Sequence, residues 1–238
     1  MENSQVARAM VKITVEKESV FYMYQDILTR VSPYFKNAFE KDFFEAEEKS
    51  IRLPHVAVAV MEEFIDWLYT GNLQALEISE NGKPKRDEDL AARRDQLVDL
   101  YIFGDAQDVP ALRHAITDAL IELYNQSNIE LPGYQWTKRL CSKVPRSSTL
   151  IQFLVDSACQ KFSPKEDQIR QQEAFVLKYY PIELLAALYV RLSHVSYQIR
   201  IGAMRSTYQL NPCDYHEHTS HEERDNCARK TKKKSKRN

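Results

Sequence analysis

Cysteine and histidine crowd one short stretch near the C-terminus, where Cys213, His216, His218, His221 and Cys227 follow one another within fifteen residues. Thiolate sulfur and imidazole nitrogen are the ligands zinc prefers, and any four of these groups would make a tetrahedron. The spacing, Cys213-x2-His216-x-His218-x2-His221-x5-Cys227, matches neither a CxxC knuckle nor a C2H2 finger. Apolar residues are scarce after Pro212. Zinc binding and a polar disordered segment are both open to such a stretch. The expectation assigns the second, with no metal and no cofactor.

The other chemistry-bearing groups are charged. Lys230, Lys232, Lys233, Lys234, Lys236 and Arg237 form a basic run, which suits a nuclear import signal, a loose polyanion contact or a solubilising tail. The chain holds 33 basic and 34 acidic residues, and seven of the basic ones lie between Arg229 and Arg237, leaving 26 against 34 before them. The part of the chain ahead of this run is therefore acidic, which argues against an extended nucleic-acid-binding face there. Catalytic signatures are missing. The five glycines are scattered, so no loop cradles phosphate, and neither GxSxG nor HExxH occurs. Acidic runs such as Glu45 to Glu48 have the character of a solvated face. The expectation is a chain that is not an enzyme.

A length of 238 residues, 43% of them hydrophobic, allows one ordinary domain with an extension or two small domains. No apolar run approaches the roughly 18 residues of a membrane span. The first ten residues lack the apolar core of a signal peptide. Four cysteines are too few for a disulfide framework. Nucleus or cytoplasm is the expected compartment.

Val11, Ile13 and Val15 alternate with Lys12 and Thr14, as in a strand with one buried face. Glu16-Lys17-Glu18 then suits the turn of a hairpin. Ser32-Pro33 opens a helix, Ile51 to Leu53 has strand character, and Val60, Phe64 and Leu68 make an apolar helical stripe with Met61 and Ile65 beside it. Gly71 stops that helix. Residues 77–95 are dense in charge and turn residues and are expected to form a solvated loop. Helical spacing returns with Leu97-Val98 and Tyr101-Ile102, then Leu112, Ile116, Leu120 and Leu123.

Several of these pieces together resemble the BTB (POZ) domain, in the version common in filamentous fungi. The resemblance rests on Phe21 with Tyr24-Gln25-Asp26-Ile27-Leu28, Ser32-Pro33-Tyr34-Phe35, Phe43-Phe44-Glu45, and Trp67-Leu68-Tyr69-Thr70-Gly71. It resumes at Asp99 to Ala106 and Val109-Pro110-Ala111-Leu112, and covers residues 10–127. It implies an α+β fold, a small sheet flanked by helices. It also implies a docking module that self-associates, binds a cullin scaffold of ubiquitin ligases as a substrate adaptor, or joins a transcriptional complex. Phe43 and Glu45 fall on the positions that cullin-recruiting relatives use, a hydrophobic residue and a glutamate one residue apart. Tyr24 stands where the family usually has histidine, and the aspartate usual before the first strand is missing near Met10. Few residues precede Val11, so self-association through a swapped leading strand is expected to be weak.

An all-helical extension is expected over 128–204. Ser148 precedes a stripe of Leu150, Leu154, Ala158 and Phe162, Ser163-Pro164-Lys165-Glu166 forms a capping box, and Pro181 opens a helix bearing Leu184, Leu188 and Leu192 up to Gly202. Residues 205–238 complete the chain as a His/Cys-containing, basic, disordered tail. Protein partners are expected, with no membrane and no role for nucleic acid. The alternative is a nuclear, chromatin-associated protein whose basic tail touches nucleic acid.

Overall fold

A computed structural model describes residues 9–41, 43–75, 87–126, 134–161, 178–202, 210–218 and 220–235. The chain divides into two compact units, Met1–Ile116 and Thr117–Asn238. The sequence-based boundary at 127/128 lies further along, past the end of the helix within which the division falls.

The first unit begins with the expected hairpin. Strand β1 (Met10–Thr14) pairs antiparallel with β2 (Val20–Tyr24), Ile13 opposite Phe21, and β3 (Ser50–Arg52) joins the other edge of β1 in parallel, Ile13 beside Ile51. The sheet order is β2-β1-β3. Val11, Ile13 and Val15 are buried as the alternation requires, and Met23 joins them from β2. The opposite side of β2 leaves Val20, Tyr22 and Tyr24 exposed, so Tyr24 is at the surface.

Between β2 and β3 lie α1 (Gln25–Val31), α2 (Pro33–Glu40) and α3 (Phe44–Glu48). Ser32 caps α2, and Pro33 sits at the first helical position, where a missing N–H costs nothing. The Ser32 hydroxyl accepts the Phe35 N–H at 3.0 Å and donates its proton to the Gln107 carbonyl at 2.5 Å, all of it buried. One side chain thus ties the start of α2 to the end of α5 (Asp87–Ala106).

Helix α4 (Val58–Thr70) ends where Gly71, at φ 72°, turns left-handed and returns its N–H to the Trp67 carbonyl. Its buried stripe is Met61, Phe64 and Trp67, while Val60 and Leu68 are half-buried flanks. Phe64 meets Phe103 of α5 with ring centroids 4.8 Å apart.

The expected loop over 77–95 is corrected where it is described. Asp87 to Asp95 are the first turns of α5, while residues 76–86 lie outside the described ones. Charge density concealed a helix with an inward side. Leu90 and Leu97 are buried, and Arg93 donates to buried Glu63 at 2.6 Å and to the Gln74 carbonyl at 2.9 Å. A charged residue is tolerated inside when its partner and a carbonyl receive it. Helix α5 closes on Asp108, left-handed at φ 46°, with Val109 N–H returning to the Gly104 carbonyl at 2.7 Å, and Pro110 starts α6 (Pro110–Gln126). Gly104 packs closely, since an added Cβ would lie 3.3 Å from the Leu112 side chain and would require it to shift.

The second unit is helical: the later turns of α6, then α7 (Tyr134–Lys143), α8 (Thr149–Lys161) and α9 (Ile182–Arg200). Ser148 immediately precedes α8, with Leu150, Leu154 and Ala158 buried as expected, and Pro181 precedes α9. Phe162 and the Ser163–Glu166 capping box lie outside the described residues.

The expectation of a disordered tail is corrected in part. Pro212–Tyr215 forms a 3-10 turn and His221–Ser235 a helix, α10. The cause is an anchor that composition does not show. Tyr215 is buried with its ring edge-on to Phe153 of α8, and its hydroxyl donates to Asp156 at 3.0 Å. Arg191 of α9 binds the other oxygen of that carboxylate at 2.5 Å. A buried carboxylate is stable here because both oxygens are received.

Candidate functional site

Two places in the molecule gather chemically distinctive groups. The first is the turn between α2 and β3. Phe35 and Phe39 on α2 fill the core, which fixes the end of that helix. On the far side Lys49, left-handed at φ 50°, closes α3, and its carbonyl accepts the Lys12 N–H of β1 at 2.8 Å. Both ends of the turn are therefore held by the fold. Between them the aromatic side chains face outward: Phe43 is 51% exposed and Phe44 67%. Glu45 is half-buried at the first turn of α3. Tyr34 shares its neighbourhood. Partial burial raises the Tyr34 phenol above its ordinary value, and the Glu45 carboxylate nearby raises it further. The outcome is an apolar patch with a carboxylate and a phenol at its rim, the pattern of a surface that seats another protein. Of the aromatics weighed between core and surface, Trp67 and Phe35 are core, whereas Tyr69 and Tyr34 keep a substantial part of their surface.

The second place is the cysteine–histidine segment. Four of its five members come together. Cys213 Sγ lies 3.2 Å from His218 Nε2, and Cys227 Sγ lies 3.1 Å from His216 Nδ1. The ligand atoms of Cys213, His218 and Cys227 all fall within 4.8 Å of one another. His221 stands apart, exposed at the start of α10. The 3-10 turn places Cys213 and His216 inward, while α10 brings Cys227 back to them. Asp118 on α6 meets His216 Nε2 at 3.1 Å. Burial raises the Cys213 thiol, and Cys227 beside it raises it again, to about 11. Burial alone would lower the His216 imidazole, but hydrogen bonds with Asp118 and Cys227 outweigh that and move it up.

Sequence reasoning missed Asp118, Asp156 and Tyr215. Only Tyr215, an aromatic inside a polar stretch, offered a signal. The carboxylates are single residues on helices, and nothing in their local spacing marks them. Lys230, Lys232, Lys233 and Lys234 lie in the last turns of α10, whereas Lys236 and Arg237 lie outside the described residues.

The remaining cysteines are poorly suited to attack a substrate. Burial raises the Cys141 thiol, helped by Glu183. Burial and then Asp156 push Cys159 up to about 11, against the opposing pull of Arg191. A nucleophilic cysteine needs the reverse shift. Among the described residues no helix is long and apolar enough to cross a membrane.

The family model for the BTB/POZ domain matches residues 6–84, the stretch that holds the three-stranded sheet, α1 to α4 and the Phe43–Glu45 turn. No curated protein matches the chain.

Proposed function

We propose that this chain, a BTB/POZ domain protein by its residues 6–84, is a non-enzymatic adaptor that docks a cullin scaffold through Phe43 and Glu45. BTB/POZ domains are protein-interaction modules, so a docking role in general belongs to the family. The choice of partner and of surface is our reading. The outward display of Phe43 is the observation that supports it. A phenylalanine held in water by a turn fixed at both ends costs the fold apolar burial and is already oriented for a partner's groove. Burying it there is worth about 1.5–3 kcal/mol. Glu45 gives the contact direction through hydrogen bonds.

The test is titration of the full chain with the N-terminal region of a cullin. Micromolar or tighter binding is expected, with Phe43→Ala weakening it tenfold or more, equivalent to about 1.4 kcal/mol. Absence of wild-type binding at micromolar concentration would retire the adaptor reading and leave a generic interaction module.

The second reading, nucleic-acid contact through Lys230 to Lys234, is supported by their clustering at the end of one helix. It is the weaker reading because the rest of the chain is acidic. Binding of that kind would collapse between about 50 and 200 mM salt, whereas the apolar docking contact would not. The same run would act as an import signal, and a fluorescent fusion lacking residues 229–238 is then expected to move from nucleus to cytoplasm.

A further inference from the structure

We propose that Cys213, His216, His218 and Cys227 bind one zinc ion that fastens the C-terminal segment to the helical unit. In a tetrahedral zinc site the bond lengths set sulfur–sulfur edges of about 3.8 Å and sulfur–nitrogen edges of about 3.5 Å. The two sulfur–nitrogen separations seen, 3.1 and 3.2 Å, are within a few tenths of an ångström of that edge. The three atoms from Cys213, His218 and Cys227 all lie within 4.8 Å of one another, so a contraction of about 1 Å or less brings them to those edges. His216 Nδ1 stands beside that trio, 3.1 Å from Cys227 Sγ, and is the fourth ligand of the proposal.

Two features beyond the cluster point to a metal. The first is the arrangement around His216. Its Nε2 is engaged by the Asp118 carboxylate at 3.1 Å, which leaves Nδ1 with its lone pair beside the Cys227 sulfur, and its side chain is only 4% exposed. A carboxylate holding the outer nitrogen of a ligating histidine is the usual means of fixing its tautomer and ring plane. The second is α10 itself. Its first six residues, His221 to Asn226, are exposed, so apolar burial does little to hold that part, and a helix of this length is marginal alone in water. Cys227, half-buried like Ala228, brings the helix back to Cys213 and His216. A disulfide between Cys213 and Cys227 would join the same elements. It would give neither imidazole a reason to sit against a sulfur, and no disulfide joins the two cysteines in the structure.

Two thiolates and two imidazoles favour zinc over the hard cations magnesium and calcium. Each thiol loses its proton as the ion enters. The doubly charged ion is thereby neutralised by two thiolates, and occupancy falls on acidification.

The experiment uses the full chain, purified under reducing conditions without chelator. Elemental analysis is expected to find one zinc per chain, retained through dialysis against a mild chelator. Replacement by cobalt is expected to give the visible bands of a tetrahedral ion together with thiolate-to-cobalt charge transfer. Cys213→Ser and Cys227→Ser should each abolish that charge-transfer pattern, while His221→Ala leaves it unchanged. Asp118→Asn, altering a positioning residue, should still bind one ion but with about 10- to 100-fold lower affinity. Should a cysteine variant fail to fold, the wild type decides the matter: stripping the zinc should speed amide exchange around Tyr215, and adding zinc back should restore protection. Zinc-free protein with free thiols, a Cys213–Cys227 disulfide in the isolated chain, or cobalt bands unaltered by Cys213→Ser would each overturn the proposal.

Discussion

In the turn from Phe43 to Glu45 two aromatic rings face water, while in the segment from Pro212 to Cys227 thiol, imidazole and phenol groups are buried. The two regions invert the ordinary relation between residue type and location. In the first, backbone anchors on either side hold apolar groups outside, so the surface is ready-made and its use lies with a partner. In the second, polar groups are brought inside because each finds another within the same unit: Tyr215 finds Asp156, and His216 finds Asp118 and Cys227. The difference teaches how to separate a binding residue from a structural one. Polarity does not do it. What decides is whether the side chain's interactions are completed within the chain, as those of Tyr215 are by Asp156 and those of the cysteine–histidine cluster are only with the proposed ion.

The most severe way to break that comparison is to exchange a completed phenylalanine for an open one. Phe39 and Phe43 are four residues apart, one buried and one half in water. Phe39→Ala should cost about 3–5 kcal/mol in chemical denaturation, whereas Phe43→Ala should stay within about 0.5 kcal/mol. Similar losses for the two would place Phe43 in the core. Next in size is Asp156→Ala, which leaves Tyr215 and Arg191 without their shared acceptor. A loss of about 3 kcal/mol is expected, with faster amide exchange in the segment around Tyr215. If exchange there is unchanged, Asp156 is not the anchor. Tyr215→Phe removes only the hydroxyl and should cost about 1 kcal/mol.

The smallest expected effect is electrostatic. The raised Tyr34 phenol means that the folded state holds that proton more tightly than the unfolded chain does. Its contribution to stability is complete below pH 10 and is lost as pH rises through the folded value. Glu45→Gln removes the second of its two causes, so the titration of Tyr34, followed by the NMR shift of its ring carbon, should move back toward 10.0 without reaching it. An unmoved titration would detach Glu45 from the aromatic patch.

The sheet, α2 and α4 were legible because periodicity and punctuation agreed there, whereas the acidic run Glu45 to Glu48, read as a solvated face, is most of α3. Val11, Ile13 and Val15 alternate, Ser32-Pro33 starts a helix and Gly71 ends one, each through local geometry. The first turns of α5 were not, because Arg93 is stabilised by Glu63, thirty residues away in the sequence. The tail was misread for the same reason on a longer scale. Asp118 meets His216 across 98 residues, and no window of composition contains both. The turn displaying Phe43 was readable as a motif, but its outward orientation depends on Phe39 and Lys49 being held elsewhere.

Ser32-Pro33 has the form of a site for proline-directed kinases, and the folded domain closes it. The hydroxyl proton is given to the Gln107 carbonyl, the oxygen is taken by the Phe35 N–H, and the side chain has no exposed surface. A phosphate there would bring roughly two negative charges into the interior. No kinase can reach that oxygen in the finished domain. Phosphate found on Ser32 would therefore mark molecules modified before they folded, as they left the ribosome or after they had come apart.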